Sequence, residues 1–537
     1  MMSYAKLFSL RRNPQSEPIP RTVPNSAGGH AFPVSDWTRL DRFLVLGSEG
    51  GSYYAGPVAL TRDNARAVLR CLAEDGPRVV AAIVAVSQAG RAPKQDPAIF
   101  ALALAASAEG EHALATRRAA LAALPRVCRT GTHLFQFASA IEAMRGWGRG
   151  LRRAVADWYV ARPVEALAYQ AVKYRSRNGW SHRDLLRLAH PETGEPYRAA
   201  LFDWICRGTL AEAAPALVHA FASVQAPGVN GASAAAMIRT HGLPWEALPT
   251  ELMTSRAVNE ALIERMPVGA LVRQLGRLTA SGVLAPFSEG TEHVRALLSD
   301  RTRILDARLH PMALLMAIKT YASGRGERGR LSWEPVAAIV EALNAAFYTA
   351  FASVTPTGKR LVLALDVSGS MATGGVAGSS LTPREAAAAM ALVTAATEER
   401  WQVVGFTAGA GRRRNEGTAL TALPIGPSMR LDAAVAATAD LPFGGTDCSL
   451  PMRWALERNV QADAFVVYTD SETWAGPVHP VEALRAYRRK TGIDAKLVVV
   501  GLVSNGFSIA DPEDAGMLDV VGFDAAAPAL IADFLRA

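Results

Sequence analysis

The sequence predicts two folds in one chain, an irregular α-solenoid followed by a doubly wound α/β domain, and three observations carry that expectation. From Thr61 to about Leu278 nearly every segment repeats apolar residues at helical spacing, with short connectors and few strand patterns. Beyond residue 358, short apolar runs alternate with amphipathic segments, which gives a parallel sheet with helices on both faces. Charge divides at the same place. Residues 361–537 hold 14 Lys and Arg against 20 Asp and Glu, net −6, and residues 1–360 hold the other 43 and 29, net +14. A chain of 537 residues is too long for one core. The expected division is an arm over 1–24, a helical domain over 25–357 and an α/β domain over 358–537.

Composition excludes several classes. Mean hydropathy is +0.11, yet no run of about 18 uncharged apolar residues occurs, so no membrane span is expected. Residues 1–12 lack the long apolar stretch and cleavage site of a signal peptide. Cys71, Cys128, Cys206 and Cys448 are scattered without a CxxC, which suits reduced thiols in a cytoplasmic protein. The basic first 360 residues fit a polyanionic partner, most simply nucleic acid. Solvated arginine-rich helices would account for the charge equally well.

In chain order, residues 1–24 are polar and carry Pro14, Pro18, Pro20 and Pro24, which suits an arm with little regular structure. Helical spacing runs from Asp36 to Leu46, and Gly47 to Tyr54 is a Gly-rich loop. No strict period links the helices that follow, so the solenoid is of the irregular HEAT class. One helix is expected from Pro163 to Asn178-Gly179, with Val164, Leu167, Ala168, Ala171 and Val172 as its apolar stripe. Lys173 and Arg177 then share its opposite face with Tyr169, a pattern that suits base stacking and phosphate contact. A plain solvated face is the simpler alternative for this helix alone. Ser181 and Asp184 cap a short helix that ends near His190, before Pro191. His112, His133, His182 and His219 form no metal pattern.

Further cations recur at residues 145–153, at the i, i+4 pair Arg273 and Arg277, and at Arg325, Arg328 and Arg330. Gly324-Arg325-Gly326-Glu327-Arg328-Gly329 matches the dinucleotide fingerprint, but a helix precedes it where a strand is required. A nicotinamide enzyme is therefore disfavoured. Helical spacing over 334–351 leads to the linker Thr355-Pro356-Thr357-Gly358.

The α/β domain opens on Leu361-Val362-Leu363-Ala364-Leu365, a strand buried on both faces, which ends in Asp366-Val367-Ser368-Gly369-Ser370. Thr382-Pro383-Arg384-Glu385 opens an Ala-rich helix. Trp401 to Thr407 is a strand, Arg412-Arg413-Arg414 a loop, and 431–438 and 450–457 are helices. Phe443-Gly444-Gly445-Thr446-Asp447 is a second polar loop, and Ala464-Phe465-Val466-Val467-Tyr468-Thr469-Asp470 a second buried strand ending in a carboxylate. Carboxylates and hydroxyls at strand ends suit a hard cation such as Mg²⁺ rather than zinc.

These three stretches resemble the metal-ion-dependent adhesion site of von Willebrand factor A (vWA) domains. The resemblance implies Asp366, Ser368 and Ser370 as first-turn ligands, Thr446 from the second loop and Asp470 from the third, often through water. Over nearly the whole chain the sequence is similar to the Ro autoantigen family, in which a TROVE module joins a vWA domain. The matching stretches include Val172-Lys173-Tyr174-Arg175-Ser176-Arg177-Asn178-Gly179-Trp180-Ser181-His182, Arg308-Leu309-His310-Pro311, Gly444-Gly445-Thr446-Asp447-Cys448-Ser449-Leu450-Pro451-Met452 and Phe507-Ser508-Ile509-Ala510-Asp511-Pro512. The resemblance implies a ring of irregular HEAT repeats closed by the vWA domain, with no catalysis. Y-like small RNAs would bind an outer basic surface through Lys173, Arg177 and His190, the last resting on the resemblance alone. Single-stranded 3′ ends of misfolded non-coding RNA would enter a central hole. Alanine and arginine content suggests a bacterial member, for which a 3′ exoribonuclease such as polynucleotide phosphorylase is an expected partner. A closed ring made by one chain argues for a monomer. The competing expectation is a metal-dependent adhesion or assembly module, with the helical part as scaffold.

Overall fold

The structure is a computed structural model that describes residues 14–48, 57–111, 113–307, 309–326, 330–351, 355–408, 420–427, 429–439, 444–524 and 526–537. Two compact units form, one of Met1–Val68 with Phe351–Ala537 and one of Leu69–Ala350.

In the first unit, strand Arg360–Asp366 is buried along all but its first residue. It pairs in parallel with Arg400–Phe406 on one side and Ala464–Thr469 on the other. The sheet runs Met517–Val521, Lys496–Gly501, Ala464–Thr469, Arg360–Asp366, Arg400–Phe406, Leu420–Ala422, and only the last pairing is antiparallel. Successive connections leave Arg360–Asp366 first to one side and then to the other. The switch point of the sheet therefore lies between the ends of Arg360–Asp366 and Ala464–Thr469, where such sheets bind ligands. Helix Pro383–Thr397 starts from the expected capping box of Thr382 and Glu385. Leu450–Glu457 and Pro480–Thr491 pack on the sheet through Met452, Ala455, Leu484 and Tyr487.

The N-terminal residues belong to this unit, which differs from the expected division at 24 and 357. Strand Val23–Pro24 pairs with His30–Pro33, which pairs in turn with Phe507–Ser508. Helix Asp36–Leu46, capped by Ser35, buries Arg42. The Arg42 guanidinium, 1% exposed, holds both oxygens of Asp519 at 2.7 and 2.8 Å and the Asn505 side chain at 2.7 Å. Gln15 is buried and spends its amide on four partners, Asp447, Val478, Thr473 and Gly476. These bonds span more than 430 residues of sequence, so no local pattern announces them. The part of the expected arm over 1–13 and much of the loop at 47–54 lie outside the described residues.

The second unit is helical from Asp96–Ala106 to Ala337–Thr349, with helix pairs such as Gly231–His241 with Arg256–Arg265 packed along their lengths. Thr130, Asn230, Ser288 and Asp300 supply N-caps. One expected helix is shorter than predicted. Val164–Lys173 buries Val164, Leu167, Ala168, Ala171 and Val172 as anticipated, but it ends at Lys173. Ser176–Arg177 and Trp180–Ser181 then form a hairpin around Asn178-Gly179, both at positive φ (52° and 79°). Asn-Gly matches a type I′ turn, which suits a two-residue hairpin better than a helix C-cap. Lys173 and Arg177 consequently do not share a helix face. The fingerprint-like glycines follow helix Pro311–Ala322, and Arg325 pairs with Ser332 in a bridge, which is not a strand-to-helix turn; residues 327–329, Arg328 among them, lie outside the described residues.

Replacing Arg42 with Met strands Asp519 and the Asn505 side chain in a buried site. Loss of one partner of such a pair costs about 3–5 kcal/mol. The Arg42→Met protein is expected to unfold at a clearly lower urea midpoint. An unchanged midpoint would show that the N-terminal helix is not anchored by this pair.

Candidate metal centre and nucleic-acid interface

Asp366 ends its strand fully buried. One oxygen accepts the Ser368 amide at 2.9 Å and the other accepts the Thr469 hydroxyl at 2.7 Å. The chain then turns through the short 3₁₀ segment Gly369–Ala372, which sets the Ser368 and Ser370 hydroxyls 3.1 Å apart. Asp470, one residue past the neighbouring strand, accepts the Glu472 amide at 3.1 Å, and the Ser370 hydroxyl favours its charged form. Hydrogen bonds thus join Asp366, Ser368 and Ser370, and Asp470 directly follows Thr469, which donates to Asp366. Thr446 is also buried, and its carbonyl accepts the Trp474 and Ala475 amides at 3.0 Å, which ties its loop to the one that follows Asp470. Phe443 lies outside the described residues.

The donor set fits a hard divalent cation. Burial, then the charge of Asp366, pushes the Asp470 carboxyl up to about 7. Burial also raises Asp366 and takes Glu472 to about 7. Among the described residues the buried Arg384, which donates to the Val367 carbonyl at 2.6 Å, offsets the charge of Asp366 from nearby. Two carboxylates with raised values beside three hydroxyls form an oxygen cage short of positive charge. Among the described residues no three His, Cys, Asp or Glu side chains gather into a different metal site. Gln15 adds a brace. Its amide joins Asp447, next to Thr446, to Thr473, three residues past Asp470.

The nucleic-acid candidates separate into two settings. The Lys173 ammonium is largely buried, 3.7 Å from Glu246 Oε1 and 5.4 and 5.3 Å from the ring centres of Tyr169 and Tyr174. Arg177 is exposed on the hairpin. His190 is exposed at φ 45°, closing helix His182–Ala189 with its amide on the Leu186 carbonyl. That helix starts from Ser181 at the hairpin's end, with the expected capping box to Asp184. Hairpin and helix therefore make one module with Arg177 in its first strand and His190 at its end.

Around this module lie cations that spacing alone did not single out. Arg183 and Arg187 are exposed and four apart on helix His182–Ala189. Arg187, Arg183 and Arg207 all lower the Cys206 thiol, although burial outweighs them and raises it. Arg175, Arg183 and Arg207 line a cavity of about 710 Å³ with Trp204 and Phe221, and the Arg175 guanidinium stands 5.5 Å from the Phe221 ring. The basic segment at 145–153 joins them, because Trp147 packs 5.3 Å from Trp180 of the hairpin. Its Arg145, Arg149, Arg152 and Arg153 are exposed. The i, i+4 spacing of Arg183 and Arg187 was the signal available in the sequence. The opposite holds for Arg277, which is turned inward onto Asn259 at 3.0 Å and Gln274 at 2.8 Å and forms no exposed pair with Arg273. His133 is half-buried and His182 buried, and burial is the chief cause that lowers each to about 4; His182 meets the Tyr159 hydroxyl at 2.7 Å, as a packed residue does.

The raised value of Asp470 sets the sign of a pH effect. A carboxyl raised in the folded state stabilises the fold while protonated, and that contribution is lost as pH rises from its ordinary 3.8 toward about 7. In Mg²⁺-free buffer, Asp470→Asn should gain stability relative to the unsubstituted protein over that range. Mg²⁺ competes with the same proton, so calorimetric Mg²⁺ affinity should climb with pH to about 7, level off above it, and be lost in Asp470→Asn. Affinity independent of pH would remove Asp470 from the site.

Comparison with known proteins identifies the family. The family model of the Ro60 vWA domain matches residues 360–535, and that of the TROVE domain matches 23–226 and 209–320. The chain is 42% identical over 541 residues to the RNA-binding protein RO60 of Deinococcus radiodurans, covering 100% of this chain and 99% of that one. It is 36% identical over 590 residues to the RNA-binding protein RO60 of Caenorhabditis elegans, covering 96% and 90%. The crystal structure of the Deinococcus radiodurans RO (RSR) protein matches with a TM-score of 0.71 over 94% of this chain and 99% of that one. A TROVE domain and a Ro60-type vWA domain, matched in one chain together with full-length relatives, place this chain in the Ro60 family.

Proposed function

We propose that this protein binds RNA through its helical unit and serves non-coding RNA quality control without catalysing a reaction. The observation that carries the proposal is the run of exposed arginines around the 176–181 hairpin. They extend from Arg145 to Arg153 on one side and to Arg183 and Arg187 on the other. Guanidinium groups suit phosphate oxygens, and Arg175 above Phe221 beside a wide cleft suits the shaped backbone of a structured RNA. Relatives over the full chain are named RNA-binding proteins, which supports the same reading. Within it, a Y-like RNA engages Lys173, Arg177 and His190 together with these arginines. Single-stranded 3′ ends of misfolded RNA are the second ligand class, and a 3′ exoribonuclease such as polynucleotide phosphorylase is the partner that would process them. No helix among the described residues is long and apolar enough to cross a membrane. A cytoplasmic monomer remains the expectation from sequence.

In this proposal Mg²⁺ is held by Asp366, Ser368, Ser370, Thr446 and Asp470, where it would offer an acidic group of a partner a coordination site. That supports the second reading, an assembly module, because the carboxylates sit at the switch point of the sheet with no nucleophile–base pair beside them among the described residues.

The test is RNA affinity against salt. Each phosphate contact contributes about 0.7–0.9 to the slope of log affinity against log salt. Arg183→Ala/Arg187→Ala should weaken binding of a labelled RNA stem-loop and flatten that slope by one to two such increments. A salt-independent affinity, or a double variant that binds like the parent, would shift the weight to the metal-dependent assembly reading.

A further inference from the structure

Of Lys173, Arg177 and His190, Lys173 is the one whose charge has an ion-pair partner among the described residues. Its ammonium faces Glu246 Oε1 at 3.7 Å, with side-chain exposures of 11% and 25%. Burial works against the ammonium, but Tyr169, Tyr174 and Glu246 outweigh it and hold Lys173 above its ordinary value, so it stays charged. Glu246 sits on the 3₁₀ turn Trp245–Ala247, which Gln225 fixes by donating to the Ala247 carbonyl at 2.7 Å. The carboxylate is poorly matched to its place. Its Oε2 is buried, with no hydrogen-bond partner among the described residues. Beside the pair lies a cavity of about 250 Å³ lined by Tyr169, Trp245 and Arg265. Arg265 is exposed and brings a second positive charge to that wall.

We infer that Glu246 is an internal stand-in for an RNA phosphate, occupying Lys173 in the free protein and giving it up when RNA binds. This rests on the RNA-binding function proposed above and adds a residue that tunes it. An anion that reaches Lys173 must move the carboxylate or meet its charge. A carboxylate with one oxygen unbonded gives up little when it moves. Because the lysine is neutralised beforehand, exchanging a carboxylate for a phosphate adds little to the net positive charge the RNA meets. Lys173 then contributes less to the salt dependence of binding than an exposed arginine does. The same exchange favours ligands whose phosphate is held in place by the surrounding arginines, because a loosely placed phosphate cannot displace the carboxylate.

The experiment is a double-substitution cycle read by fluorescence anisotropy of a labelled RNA stem-loop with a single-stranded 3′ tail, across a salt series. Four proteins are compared, the parent, Glu246→Gln, Lys173→Met and the pair, each checked for folding by circular dichroism. Glu246→Gln should bind about threefold or more tighter, as expected for freeing a partly buried ion-pair partner. Its salt slope should steepen by about 0.7–0.9, one phosphate's worth. Both effects should vanish in the Lys173→Met background. Glu246→Asp, which withdraws the carboxylate by one methylene, should fall between parent and Glu246→Gln. Tightening of equal size with or without Lys173 would make Glu246 a general repulsive charge and overturn the inference. So would a Glu246→Gln protein indistinguishable from the parent while Lys173→Met weakens binding, a result that leaves the RNA reading standing. Lys173→Met binding like the parent would instead remove Lys173 from the RNA surface and the inference with it.

Discussion

A strand enclosed on both faces and both edges is the constraint from which the α/β unit follows. Arg360–Asp366 has parallel neighbours on each side and helices above and below, so its interior tolerates only apolar residues. Polarity can return only where the strand leaves the sheet. The neighbouring strand Ala464–Thr469 meets the same limit one position away, and Asp366 and Asp470 emerge side by side because the two strands are adjacent and parallel, with the order of connections reversing between them. Neither carboxylate is well solvated there. The raised value of Asp470 is the electrostatic consequence of building the sheet this way, and a bound cation is the simplest compensation.

How far the sequence disclosed this depends on whether a feature is local. Asp366, Ser368 and Ser370 fall within five residues, just past an apolar run, so both the strand and its polar exit were legible. The capping boxes at Ser181 and Thr382 were legible for the same reason. Asn178-Gly179 was ambiguous, since the dipeptide closes helices and builds hairpins alike; only the backbone shows that the helix stops at Lys173. The membership of residues 14–48 in the α/β unit was invisible. It depends on Arg42 meeting Asp519 and Gln15 meeting Asp447, and a polar, proline-rich stretch looks the same whether it is anchored or loose.

Charge shows the same boundary. A net +14 over the first 360 residues described a sum, whereas binding depends on which cations are unspent. Arg239 is committed to Glu264, Arg256 to Glu260 and Arg295 to Glu292, and Arg277 is folded inward. These exposed pairs add little stability, but they cancel charge where they stand. Arg183 and Arg187 differ because helix His182–Ala189 places only Asp184 near them, and its carboxylate is spent on the Ser181 cap, whereas Arg207 is committed to Asp203. The electropositive surface is thus shaped as much by where acids were placed as by where arginines were.

Gln15 links the two themes. A neutral side chain that gives both amide hydrogens and accepts two more bonds, with no exposed surface, is held as firmly as a buried ion pair without the desolvation cost of charge. It joins the loop after Thr446 to the loop after Asp470, so the separation of two candidate ligands is set partly by a residue from the other end of the chain. Ala27 reinforces this from the same segment, its amide donating to Glu472, two residues past Asp470. A cation that pulls Thr446 and Asp470 toward itself must work through these contacts. The N-terminal segment is therefore part of the mechanical frame of the candidate metal site, although it contributes none of the five proposed ligands.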